Sequence, residues 1–169
     1  MSAPLQFTFD LLTPFLAARE WLETTVASHD DGVLCPCCGR LDRRYRRQIN
    51  RAAIGDLFAL HRLATEQFPD AFYHYSEFMK GSMRHGDFAK FKFLDLIRRA
   101  TNEDDAKRTS GSYKMTGKGH AFCRGEVGIP PVLVIYHDEL VETEGDPKRI
   151  GDFWPKFDYR SLMEGGEES

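Results

Sequence analysis

Residues 72–122 constrain the fold more than any other part of the chain, because secondary-structure signals follow one another there without a long gap. Ser76, a residue type common at helix starts, follows a short aromatic run, and Phe88 and Phe91 begin a three-residue repeat typical of one helix face. Glycines and a polar run between these segments indicate turns. The predicted elements are a strand at 72–75, helices at 77–80 and 87–94, and strands at 95–99 and 113–119.

This order of elements resembles the winged helix-turn-helix of MarR-type regulators. In that family a helix ends in a Gly-Leu-Ile-like step, which here is Asp95-Leu96-Ile97, so an aspartate replaces the glycine. The second strand of the wing closes on a Thr-x-Lys-Gly turn, which here begins at Thr116. The resemblance covers about fifty residues, 72–122. It implies a DNA-binding domain whose second short helix enters the major groove.

Charge is distributed unevenly along the chain, although the formal net charge is only -3. Residues 40–51 contain six arginines and one acidic residue, and residues 80–118 contain ten basic against five acidic residues. Residues 126–169 contain eleven acidic against four basic residues. Because a polyanion responds to the charge of a local face, the overall balance allows DNA binding.

The basic residues of the first two segments are the candidate contacts to double-stranded DNA. On the second short helix, Lys90 and Lys92 would contact phosphates or guanine edges, while the wing would reach the DNA backbone or minor groove. Asp87 and the acids at 103–105 oppose this, since carboxylates near phosphates cost affinity. The candidate DNA-binding residues are Arg43, Arg44, Arg47, Lys90, Lys92, Lys107, Arg108 and Lys114.

Two longer helices are predicted before residue 72. Thr13 and Pro14 are typical of a helix start and favour a helix over residues 14–27. Apolar residues at three- and four-residue steps favour a second helix over residues 46–67, the first helix of the winged domain. The arginines at its start would contact DNA phosphates, or would form a solvated basic surface without a ligand.

The sharpest local motif joins three cysteines at positions 35, 37 and 38 to a following glycine. Cys35 and Cys38 have the spacing of a zinc knuckle, in which two thiolates chelate one ion across a tight turn. We predict a zinc site with Cys35, Cys38, Cys37 and His74 as candidate ligands. No second Cys-x-x-Cys occurs, so the alternative is a turn without metal, with Cys37 and Cys123 as small buried residues.

The C-terminal part of the chain predicts a β-hairpin. Residues 132–136 favour a strand, and His137 and Asp138 turn the chain toward a second strand, a hairpin expected to extend the winged sheet. Residues 143–157 are expected to be irregular and held by aromatic side chains. The predicted fold is α+β, with a helical extension at 1–34, the knuckle and winged-helix core at 35–125, and the hairpin and acidic tail at 126–169.

These features together predict a sequence-specific DNA-binding protein, a transcriptional regulator. A homodimer is expected, because one recognition helix contacts few base pairs. The whole chain is also similar to small phage and bacterial proteins that carry no assigned activity. The alternative is therefore an interaction module that uses the winged helix to bind or inhibit a partner protein. An exposed aromatic patch around Phe153 and Trp154 would favour that alternative.

Membrane and enzyme classes are not expected. No stretch approaches the roughly 20 apolar residues of a membrane span, and no signal region begins the chain, so we expect a cytoplasmic protein. His120 and Cys123 could share a helix face, but no third group is positioned to orient them. No glycine-rich phosphate loop or spaced carboxylate pair occurs either.

Overall fold

The computed structural model describes residues 15–29, 31–79, 85–102 and 110–164. The chain forms two compact units. The first runs to Arg47 and includes Leu133–Glu142, and the second comprises Gln48–Val132 and the chain from Thr143 onward. Helices and antiparallel strands occur in both, so the predicted α+β class is confirmed.

The first unit contains one long helix and a short hairpin. Helix α1 spans Phe15–Ser28, close to the predicted 14–27. Strands β1 (Val33–Leu34) and β2 (Leu41–Asp42) pair antiparallel and enclose the cysteine turn. Removal of apolar side chains from water holds the helix against this hairpin. The buried core residues are Leu22, Val26 and Val33.

A three-stranded sheet in the order β3-β7-β8 contains the C-terminal hairpin. Its strands are β3 (Tyr45–Gln48), β7 (Val132–Tyr136) and β8 (Glu139–Glu144). The hairpin itself is confirmed, with both turn residues at positive φ. The expected position of the hairpin was wrong. Strand β7 pairs with β3, so the hairpin does not extend the sheet predicted for the winged domain after residue 72.

Helix α2 spans Arg51–Glu66, so the predicted start at residue 46 was wrong. Asn50 is extended and its side chain accepts a hydrogen bond from the backbone N–H of Ala53 at 2.9 Å, which begins the helix one residue later. The backbone N–H of Ile49 donates to the carbonyl of Pro131 at 2.9 Å. Five of the six arginines of residues 40–51 therefore precede the helix, and Tyr45–Gln48 form strand β3.

The second unit builds around α2, whose buried face includes Ile54, Leu57 and Leu60. A second antiparallel sheet in the order β4-β6-β5 lies in this unit. Its further elements are β4 (Tyr73–His74), α3 (Tyr75–Phe78), α4 (His85–Phe88), a 3₁₀ helix (Ala89–Leu94), β5 (Ile97–Arg99), β6 (Ser112–Met115), α5 (Gly117–Cys123), α6 (Ile150–Phe153) and α7 (Tyr159–Met163).

The predicted helix at 87–94 is mostly 3₁₀ in character, since only one α-helical turn, α4, precedes the 3₁₀ helix. Phe88, Phe91 and Leu94 are buried, as their spacing predicted. Asp95 ends the helix in the left-handed conformation with φ 54, which aspartate tolerates better than most residues. The aspartate therefore adopts a backbone conformation usually taken by glycine.

Aromatic side chains hold the segment after β8 to the second unit, as predicted. Trp154 is 4% exposed, and its ring meets the ring of Phe58 edge-on at 6.4 Å between centroids. Phe157 and Tyr159 contact the same phenylalanine at 5.4 and 5.9 Å. The segment is less irregular than expected, because β8 extends to Glu144 and helix α6 follows.

Candidate functional site

The arginine-rich segment at 40–47 covers β2, the link after it and most of β3 in the first unit. Arg43 and Arg47 are exposed, and Arg44 is half-buried with its Nε atom lacking a hydrogen-bond partner. Within the described residues, no carboxylate lies at ion-pairing distance from these three guanidinium groups. Three of the predicted DNA contacts therefore carry positive charge that no ion pair compensates.

Asp42, the one acidic residue of this segment, is engaged by other groups. Its Oδ2 accepts a hydrogen bond from the hydroxyl of Tyr136 at 3.0 Å and lies 3.2 Å from Nε2 of His137. Burial and the Asp42 carboxylate raise the pKa of Tyr136, so the phenol keeps its proton and donates it in this bond. Asp42 thus ties β2 to the turn between β7 and β8.

Tyr45 lies between two arginines on one face of the edge strand β3. Alternate residues of a strand point to the same side, which groups Tyr45 with Arg47, and Arg43 stands two residues before Tyr45 in the link that precedes β3. The guanidinium carbon of Arg43 lies 4.9 Å from the centroid of the Tyr45 ring, and that of Arg47 lies 5.4 Å from it. Both distances are typical of cation–π contacts. Tyr45 is nevertheless 42% exposed, so the ring remains accessible to solvent.

Lys90, a predicted recognition-helix contact, lies in the second unit and forms an ion pair with Asp87. The Lys90 side chain is only 19% exposed. Oδ2 of Asp87 also lies 3.3 Å from the side-chain nitrogen of Asn50, the residue that caps α2. The amine of Lys90 is therefore part of a network that joins α4 to the start of α2.

The structure describes two of the four remaining basic residues that were predicted to contact DNA. Lys92 places its Nζ 4.5 Å from the ring centroid of Phe93, and Lys114 places its Nζ 5.3 Å from that of Phe72. Both lysines are half-buried in the second unit. Lys107 and Arg108 fall outside the described residues.

The three-cysteine motif forms a tight turn between β1 and β2. The backbone N–H of Cys35 donates to the carbonyl of Arg40, and the N–H of Gly39 donates to the carbonyl of Cys35, both at 2.8 Å. Gly39 has φ 68, a conformation that favours glycine. Cys35 is half-buried, whereas Cys37 and Cys38 are exposed, so the alternative in which Cys37 is a small buried residue was wrong for Cys37.

Backbone groups of this turn act on the sulfur of Cys35. Partial burial raises the pKa of the Cys35 thiol, but hydrogen bonds from the backbone amides and the side chains of Cys37 and Cys38 together lower the pKa overall. Amides that stabilise a thiolate are suited to a metal-binding turn. Nevertheless, the described residues contain no group of three His, Cys, Asp or Glu side chains arranged to hold a metal ion.

His74, the fourth predicted zinc ligand, belongs to the second unit and begins helix α3. Its Nδ1 lies 2.8 Å from the hydroxyl of Ser76 and accepts a longer hydrogen bond from the Ser76 backbone N–H. The backbone N–H of His74 donates to Oε1 of Glu77 at 2.6 Å. The structure thus gives this imidazole a capping role at the start of α3.

A histidine pair in the second unit was not anticipated. His61 is 1% exposed, and its Nδ1 lies 2.8 Å from Nδ1 of His120, while its Nε2 lies 3.1 Å from the hydroxyl of Tyr159. Burial, with the positive charges of His120 and Arg124, lowers the pKa of His61 to about 4. Its position on the apolar face of α2, four residues after Leu57, was the available sequence signal.

Cys123 is fully buried, as expected for a small core cysteine. Burial raises the pKa of its thiol, which keeps the sulfur protonated at neutral pH. In the described residues no hydrogen bond joins Cys123 to His120, whose Nδ1 faces His61 instead. The pair therefore lacks the contact that activates a cysteine nucleophile.

No helix within the described residues has both the length and the apolar character to cross a membrane. Comparison with protein-family models, with curated proteins and with solved structures gave no match for this chain. Functional inference therefore depends on the arginine segment, the cysteine turn and the elements of the second unit.

Proposed function

We propose that this protein binds double-stranded DNA, and that the arginine segment of the first unit is its main contact with the phosphates. The observation that carries the proposal is the uncompensated charge of Arg43, Arg44 and Arg47 in the described structure. Guanidinium groups bind phosphate oxygens bidentately, and neutralisation of phosphates releases counterions, which supplies much of the affinity.

The second unit supports the same proposal by its order of elements. Helix α2, strand β4, helices α3 and α4, and the antiparallel strands β5 and β6 follow one another as in a winged helix, and β6 lies between β4 and β5. In this interpretation Lys92 and Lys114 add contacts, together with Lys107 and Arg108 of the wing segment. Lys90 contributes only when it leaves Asp87. We infer a role in transcriptional regulation, as a dimer that reads two half-sites.

The test is fluorescence anisotropy with a labelled mixed-sequence duplex across a salt series. The double variant Arg43→Ala/Arg47→Ala removes two phosphate contacts, so the slope of log K against log salt falls by about 2 in magnitude. Arg19→Ala/Arg160→Ala is the control for formal charge, because it removes two exposed arginines elsewhere, one of which, Arg19, pairs with Glu23. Equal losses in both variants would show a nonspecific charge effect and refute the assigned interface.

A further variant tests whether the second unit contributes to DNA binding. Lys92→Ala/Lys114→Ala changes the second unit alone. Weaker binding by this variant supports the winged-helix contacts, and unchanged binding confines the interface to the arginine segment. If the unaltered protein fails to bind duplex at low salt, the proposed function is wrong.

The alternative function, a protein-interaction module, is favoured by two exposed aromatic residues. Phe68 is 71% exposed and Phe72 is 45% exposed, and both flank the short turn that leads into β4. By contrast, Phe153 and Trp154 do not form the exposed patch that would favour this alternative, since Trp154 is buried and Phe153 is half-buried. A Phe68→Ser/Phe72→Ser variant that keeps DNA affinity and melting temperature but loses a purified partner would support this alternative.

We also propose that the cysteine turn binds zinc. The converging amides at Cys35 and the exposed thiols of Cys37 and Cys38 support it. Cys35 and Cys38 supply two thiolates at the zinc-knuckle spacing, and a complete tetrahedral site requires two further ligands.

A further inference from the structure

The Tyr45 face, formed by Arg43, Tyr45 and Arg47, has properties that contact with phosphates alone does not explain. All four residues of β3 are exposed, so Tyr45 adds little to the buried core. A large aromatic ring at such a position still has an accessible surface, although the guanidinium carbons of Arg43 and Arg47 lie over it, 4.9 and 5.4 Å from its centroid. Phosphate binding requires the two arginines but does not require the Tyr45 ring.

We propose that the Tyr45 face binds single-stranded DNA, with one unpaired base stacked on the Tyr45 ring. This inference rests on the proposed DNA-binding function and specifies the state of the strand that the arginine segment prefers. Base–aromatic stacking is tolerant of sequence, because every base presents a π-face. Arginine guanidinium planes stack on bases as well, so the three side chains together form an extended stacking surface.

An unpaired strand fits this face better than a duplex does. In a duplex each base face is covered by its neighbours, so an exposed tyrosine ring has no base to stack on. In a single strand the bases can turn outward while the phosphates remain beside the cations.

The ring can be exchanged without damage to the fold, which makes the inference testable. Tyr45 is 42% exposed, and its ring contacts are with the two flanking guanidinium groups. Tyr45→Phe keeps the aromatic face and removes the hydroxyl. Tyr45→Leu keeps an apolar side chain of strand character and removes the π-face. Melting temperatures of both variants identify any loss of folded protein.

The experiment measures anisotropy of a labelled mixed-sequence 20-mer, as a single strand and as the matched duplex, at one low salt concentration. We expect Tyr45→Phe to retain the affinity for the single strand and Tyr45→Leu to weaken it about tenfold, with little change on the duplex. Absence of single-strand binding, or equal single-strand affinity for Tyr45→Leu and the unaltered protein, overturns the inference.

Failure of this inference is distinguishable from failure of the proposed function. If duplex binding is present and needs Arg43 and Arg47, whereas Tyr45→Leu has no effect on either strand form, DNA binding stands and base stacking is refuted. If neither strand form binds at low salt, both proposals fail together. If Tyr45→Phe loses single-strand affinity as Tyr45→Leu does, the loss is due to the hydroxyl group, and base stacking is refuted.

Discussion

Lowering the pH from 7 to 5 is expected to destabilise the second unit through His61. This imidazole is 1% exposed and is held between Nδ1 of His120 and the hydroxyl of Tyr159. Only one proton fits between the two Nδ1 atoms, so a neutral pair satisfies the hydrogen bond and a doubly charged pair cannot. Burial and Arg124 also lower the pKa of His120, which acts in the same direction.

The sign and the size of the change in the free energy of unfolding follow from the difference in the pKa of His61 between the folded and the unfolded chain. The pKa of His61 is 6.5 without its folded surroundings and about 4 within them. Between these values the unfolded chain binds more protons, so the free energy of unfolding falls as the pH falls. For this one group the loss from pH 7 to pH 5 is about 2 kcal/mol, and it grows further as the pH approaches the folded-state pKa.

The assay is urea unfolding at pH 7, 6 and 5, followed by tryptophan fluorescence. Trp154 is buried in the same unit and reports on it. His61→Gln removes the titrating group, so its free energy of unfolding should change about 2 kcal/mol less over this range than that of the unaltered protein. His29→Gln, in the other unit, controls for loss of a histidine. Identical pH dependence in His61→Gln and the unaltered protein would refute this reasoning.

Three further predictions concern the metal, a close backbone approach and a helix cap. Purified protein should carry about one zinc ion per chain by mass spectrometry, and Cys38→Ser should lose it; metal-free protein that melts identically in chelator contradicts this. Gly119→Ala should lower the melting temperature sharply, because its Cβ would overlap the carbonyl oxygen of Leu96, whereas Gly117→Ala in the same helix meets nothing within 4 Å. Asn50→Ala should cost about 1 kcal/mol in urea unfolding by removing the α2 cap, and an unchanged midpoint would refute that role.

Much of the local structure could be predicted from residue patterns alone. The helix at 14–27 and the β7-β8 hairpin depend on signals within a few residues of one another, and both formed close to the predicted bounds. Phe88, Phe91 and Leu94 face the core as their spacing indicated. Local patterns succeed here because backbone conformation and the buried face of an element are encoded over short distances.

Long-range pairing decided what the local patterns could not. Residues 45–48 had the arginine content of a solvated helix start, but an extended Asn50 and pairing with β7, more than eighty residues later in the chain, place them in a strand. That change put Tyr45 between two arginines on one face. The ion pair of Lys90 with Asp87 spans only three residues, whereas the contact of Asp87 with Asn50 joins residues 37 apart.

The sequence by itself determined the α+β class, the cysteine turn, the concentration of arginines and the buried face of each strongly periodic helix. Only the tertiary structure decided which of those charges lack an ion pair and which histidines meet. His61 contacts His120 and Tyr159 across 59 and 98 residues. Such contacts leave no local signal, because the free energy that brings these side chains together comes from burial of the surrounding core.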